Sequence, residues 1–87
     1  MVDIDISDAE TPKELQKTFK ESLQFPDFYG MNWGAFWDAC TGLVEMPDVM
    51  IIHGFELYRL KQPGDAKTLQ TYVNRLRSEW GFQILMD

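Results

Sequence analysis

The chain has one cysteine, Cys40, and one histidine, His53, among its 87 residues. A single cysteine excludes an internal disulfide, and no group of cysteines and histidines has metal-ligand spacing. No serine or cysteine sits in a recognisable nucleophile motif, so the converging groups that an enzyme needs are missing. His53 follows an apolar run and is read as structural or solvent-facing. Glycines 30, 34 and 42 do not form a phosphate-cradling loop. No run of about 18 apolar residues is long enough to cross a membrane, and the start lacks the basic, apolar character of a secretion signal. Residence in the cytoplasm is the expectation. Cations are also scarce: 8 lysines and arginines stand against 14 acids, a formal net charge of −6. That balance opposes binding to nucleic acid or anionic membranes and favours a basic protein partner. No cofactor is implied.

What remains is a well-supplied core. Apolar residues make up 45% of the chain, which argues against disorder, and the length suits one domain over residues 1–87. Val2, Ile4 and Ile6 alternate with Asp3, Asp5 and Ser7, the period of a strand with one buried face, over residues 1–6. The acids here resemble a calcium loop only faintly, because Asp8 stands where glycine should permit the turn. Thr11, Pro12 and Glu14 form a capping box with proline at the first helical position, and Leu15, Phe19 and Leu23 supply the buried stripe that follows. Val49–Ile52 is a continuous apolar run, expected of a strand buried on both faces. Phe55, Leu57, Tyr58 and Leu60 suggest a brief helix or turn packed on the core. Asp65 is a candidate N-cap for a helix with Leu69, Tyr72, Val73, Leu76 and Trp80 on its buried side. Gly81 is placed to end it, with Arg75 and Arg77 near its C-terminus. Phe82, Ile84 and Met86 alternate as a last strand. Strands separated by helices argue for an α/β fold, a three-stranded parallel sheet packed with three or four helices.

The stretch from Phe25 to Pro47, FPDFYGMNWGAFWDACTGLVEMP, is the most distinctive. At 100° per residue, Trp33, Phe36, Trp37, Cys40, Leu43 and Val44 share one side of a helix, the core side. Gly34, Asp38, Thr41, Gly42 and Glu45 share the other. Asn32 suits the N-cap, after an aromatic turn of Phe28, Tyr29 and Gly30. Glycine costs roughly 1 kcal/mol in a helix relative to alanine, so two on one exposed face suggest the close approach of another surface. Gly42 also suits a fraying helix end. Cys40, on the apolar side, reads as a buried thiol.

This pattern, P-x-x-Y-G-x-N followed by a helix bearing W-D and T-G, resembles the barstar family of intracellular ribonuclease inhibitors. The resemblance extends over nearly the whole chain, including TLQTYVNRL and the closing apolar strand. It implies a non-enzymatic protein that inserts this loop and helix into the active site of a basic ribonuclease. Asp38 corresponds to the family's chief inhibitory aspartate. Asn32, Trp37, Thr41, Gly42, Glu45, Tyr29 and Gly30 match the pattern beside it. Four positions depart from it: Gly34 stands where a second acid commonly lies, Phe28 replaces a tyrosine, Leu43 replaces a tryptophan, and Asn74 occupies the place of a glutamate. Those changes remove partners for a guanidinium or a histidine. They keep open a second reading, an immunity or regulatory module for a different toxin class, again with a basic nuclease as partner. A monomer when free is the default for either.

Overall fold

The computed structural model describes residues 1–87. Strand β1, Val2–Asp5, places Ile4 in the core and Asp3 and Asp5 in solvent, as its alternation predicts. Helix α1, Pro12–Leu23, begins on Thr11, whose hydroxyl accepts from the Glu14 N–H at 3.2 Å. The reciprocal half of the box is shifted by one residue, since the Glu14 carboxylate accepts from the Glu10 N–H at 3.3 Å. Leu15, Phe19 and Leu23 are buried together, and Gln16 joins them as the core's one polar side chain.

Helix α2, Trp33–Asp38, runs without a break into a π turn over Ala39–Leu43. Strand β2, Val49–His53, leads through Gly54 into helix α3, Phe55–Lys61, and helix α4, Pro63–Trp80, leads to strand β3, Gln83–Met86. Gly54 is needed where it stands. Its φ is +88° and an added Cβ would lie 2.7 Å from the Ser7 Cβ. The Asp87 carbonyl caps the start of α3, accepting from the N–H groups of Gly54 and Phe55 at 3.1 and 3.0 Å. No helix is long and apolar enough to cross a membrane.

All three strands are parallel, in the order β1-β2-β3, with Ile4 opposite Ile52 and Ile52 opposite Met86. A sheet that always adds its next strand on the same edge, by crossovers of one hand, puts every connecting helix on the same face. This corrects the expectation that β2 is buried on both sides. Met50 and Ile52 are buried, but Val49, Ile51 and His53 face the other way and are only partly covered. On that open face His53 bridges the outer strands. Its Nε2 lies 2.9 Å from an Asp3 oxygen and its Nδ1 lies 3.0 Å from an Asp87 oxygen.

Other sequence expectations also shift. Asp65 is not an N-cap, because α4 starts two residues earlier at Pro63. Its carboxylate instead accepts from the Trp33 indole at 2.8 Å and the Tyr58 hydroxyl at 2.6 Å, tying α2, α3 and α4 together. The segment 55–60 is helical as expected, yet only Tyr58 is buried, and Leu57 and Leu60 face solvent. A helix of two turns touches the core along one narrow line. Trp80 lies on the final turn, past the edge of the buried stripe. It is half exposed, packing against Phe82, while Gly81 ends the helix in the left-handed conformation.

Candidate functional site

The loop before α2 is built from the inside outward. Phe25 is buried against the Tyr29 ring, with centroids 4.7 Å apart, and the Tyr29 N–H donates to the Pro26 carbonyl at 2.9 Å. The turn so closed leaves Phe28 at its tip, 75% exposed. Tyr29 points the other way. It is 6% exposed and its hydroxyl donates to the side-chain oxygen of Gln16 on α1. Burial holds this phenol well above the ordinary tyrosine range, so it remains a donor at neutral pH. The structure thus places Tyr29 beneath the surface, as a support for the loop. Gly30 is exposed beside it.

Asn32 caps α2 with both ends of its amide. Its oxygen accepts from the Ala35 N–H at 2.7 Å and its nitrogen donates to the Gly30 carbonyl at 3.0 Å. The helix is then held by aromatic packing. Phe36 is fully buried with its ring 5.0 Å from Phe19, and Trp33 lies nearly parallel to Tyr72 of α4 at 5.4 Å. Trp37 is half-buried, with its ring 6.0 Å from Tyr72. These contacts fix how α2 sits on the core, and with it the direction of its outer face.

That outer face carries Gly34 and Asp38, both exposed. Asp38 takes part in none of the chain's ion pairs. A Cβ on Gly34 would meet only the Asn32 amide oxygen, at 3.3 Å, and one on Gly42 would meet nothing within 4 Å. Neither glycine has a positive φ. The backbone conformation therefore requires glycine at neither position, although a side chain at 34 would press on the Asn32 capping oxygen.

The π turn explains the one residue of this helix that leaves its expected side. Val44 N–H donates to the Ala39 carbonyl five residues back, at 3.2 Å. A wider turn holds more residues, so each advances by less than the 100° of an α-helix. Leu43, expected on the core side, is rotated outward to 51% exposure, while Ala39 and Cys40 stay buried. Burial raises the Cys40 thiol pKa to about 12, which keeps it protonated. Thr41 is half-buried and donates to the Trp37 carbonyl at 2.7 Å.

Phe28, Gly30, Asn32, Gly34, Asp38, Gly42 and Leu43 are thus exposed along the loop, α2 and the π turn, with Trp37 and Thr41 half-buried in the same segment. Glu45 is exposed but stands apart, beside Val2, Leu23 and Gln24 on a shallow cavity of about 260 Å³. Asn74 is exposed on α4 and its side chain is occupied there, accepting from Gln70 at 2.9 Å and Arg77 at 3.3 Å. A residue that sequence reasoning did not place here is Arg75. Its guanidinium lies 4.1 Å from the centroid of the Trp37 ring, and its Nε donates to Glu79 at 2.9 Å. The i, i+4 spacing of Arg75 and Glu79 is legible in sequence, whereas the contact with Trp37 depends on how α4 crosses α2.

Such a surface has no enclosed cavity or converging acid and base. It offers a carboxylate on a helix anchored by aromatic packing, with a glycine four residues to either side and exposed apolar side chains at Phe28 in the loop before it and Leu43 in the π turn after it. The family described as Barstar (barnase inhibitor) matches residues 1–85. A Bacillus subtilis (strain 168) protein named "Putative ribonuclease inhibitor YrdF" is 42% identical over 53 residues, 61% of this chain and 58% of that protein. The aligned stretch thus spans less than two thirds of that relative's length.

Proposed function

Because the chain belongs to the barstar family, we propose that it binds a ribonuclease and closes its active site with the loop before α2, the outer face of α2 and the π turn. In this reading Asp38 occupies the place of a substrate phosphate. A ribonuclease holds phosphate with cationic side chains, and a carboxylate set there accepts the same charge-assisted hydrogen bonds. The observation that carries the reading is the state of Asp38, exposed and free of any ion pair, on a helix whose other side is clamped by aromatic packing. Little ordering entropy is left to lose on binding. The net charge of −6 would speed encounter with a basic enzyme. The protein is then a non-enzymatic inhibitor, monomeric when free. It acts on the enzyme and not on RNA, in the cytoplasm before the enzyme can damage cellular RNA.

Titration calorimetry against purified barnase, with Asp38→Ala alongside, tests this. A central anchor should cost at least about 2 kcal/mol, roughly 30-fold in Kd, whereas a rim acid should change mainly the salt dependence. Undiminished binding by a folded Asp38→Ala protein would refute charge mimicry. A second reading, a toxin of another class met by the same surface, is favoured by one observation. An acid at position 34 would ask a shift of only a few tenths of an ångström from the Asn32 cap, so its absence points to a partner that does not call for one. Tight binding to an unrelated basic nuclease, with none to barnase, would select this alternative.

A further inference from the structure

Arg75 changes what the proposed binding face presents. An indole at the edge of such a face would ordinarily offer its flat surface to a partner. Here a guanidinium covers Trp37 at 4.1 Å, and the Tyr72 ring lies 5.8 Å from the same group. Glu79 takes the Nε hydrogen at 2.9 Å, which leaves the four N–H groups of the terminal nitrogens without an acceptor in the chain. Stacking and the ion pair together fix the plane of the guanidinium, while its side chain stays 45% exposed. Arg75 therefore presents an oriented positive fork beside the residue that precedes Asp38.

We propose that Arg75 determines partner choice: it reads a carboxylate on the rim of the target's cationic cleft, so that the face pairs Asp38 with a cation and Arg75 with an acid. This rests on the ribonuclease reading above and makes it narrower. A partner bearing aspartate or glutamate at the facing position gains a bidentate, charge-assisted contact, for which arginine is better shaped than lysine. A partner bearing lysine or arginine there meets a like charge held in place, and is rejected. The departure at Gly34 acts in the same direction. The face has fewer acids and one fixed cation, so it suits a cleft whose border is mixed in charge.

The test uses the full chain and a yeast-displayed library of catalytically silent barnase, with surface positions bordering the cleft randomised among aspartate, lysine and alanine. Binders to the wild-type chain should be enriched in aspartate at one or two neighbouring positions. Arg75→Ala should weaken those binders about two- to fivefold, and more at low salt than at high salt, and Arg75→Glu should invert the selection towards lysine. An altered charge preference is something that a purely structural role for Arg75 would not produce, and thermal melting of each variant confirms folding. Binders that depend on Asp38 but show no preference for acid overturn this inference and leave the inhibitory reading standing. A library without any binder would overturn this inference together with the reading of a barnase-like ribonuclease as the partner.

Discussion

Tyr29 and Gln16 provide a test that separates support of the loop from contact with a partner. Gln16 is 2% exposed, and its side-chain oxygen accepts the Tyr29 hydroxyl. No buried side-chain polar atom is without a partner in the folded chain. Tyr29→Phe would remove the donor and leave that oxygen without a partner in the chain, at a cost of about 1–3 kcal/mol. For a chain of this length each kcal/mol shifts the melting temperature by about 4–8 °C, so the middle of that range corresponds to a fall of about 8–16 °C. Gln16→Leu alone leaves the hydroxyl only the Asn32 carbonyl, 3.5 Å away, as acceptor. Gln16→Leu with Tyr29→Phe removes both polar groups at similar volume, so the double variant should recover most of the loss. Urea denaturation gives the four stabilities of the cycle. Titration against a bound ribonuclease, well below the melting temperature, should show Tyr29→Phe binding within about twofold of wild type, since a group beneath the surface does not touch the partner. The reasoning fails if Tyr29→Phe changes stability by less than about 0.5 kcal/mol, or if the two substitutions are simply additive.

Two further substitutions probe the outer face of α2 and the open face of the sheet. Gly42→Ala should raise stability by about 0.5–1 kcal/mol, because its Cβ meets nothing in the chain, and should weaken ribonuclease binding, since the added methyl stands where a partner would approach; a gain in both, by calorimetry and denaturation, would show that no surface comes close there. His53 is held above the ordinary imidazole value of 6.5, first by its hydrogen bond to Asp3 and then by Asp87. A raised folded value means that its contribution is complete below about 6.5 and is lost as pH rises through that folded value. Urea midpoints should therefore fall across this window in the wild-type chain, and His53→Gln should remove that part of the decline; an unchanged slope would count against the bridge.

How far the sequence could be read depended on how local each feature is. The box at Thr11, the cap at Asn32, the stop at Gly81 and the alternation in β1 and β3 involve residues a few positions apart, and the structure keeps them. The errors share another property, since each needed the location of a remote element. An apolar run cannot show whether one or both of its faces are covered, and β2 is covered on one face because all the crossovers return to the same side. Asp65 had the residue type and position of a cap, but two buried donors from α2 and α3 claimed its carboxylate. Tyr29 turned inward because Gln16, thirteen residues earlier, offers an acceptor in the core. Leu43 left the apolar side through a change of helical period that no residue between Ala39 and Leu43 announces.

Within that pattern the segment from Phe28 to Leu43 stands apart, because its local choices work against its own stability. α2 has no acid in its first turn, where one would complement the helix dipole. Two glycines lower helix propensity, and at Gly42 the fold has open room for a side chain. A π turn interrupts the regular hydrogen bonding and exposes a leucine. Isolated apolar side chains such as Leu57 and Leu60 are ordinary on a surface and need no special account. Several departures on one face are different, since stability alone would select against each of them independently. Places where local preference and global structure disagree are expected where function competes with folding. Here the disagreement coincides with the one helix whose far side is fixed by aromatic stacking, so the rigidity of the buried half offsets the weakness of the exposed half. A binding face that must deliver a carboxylate in a set direction requires that combination.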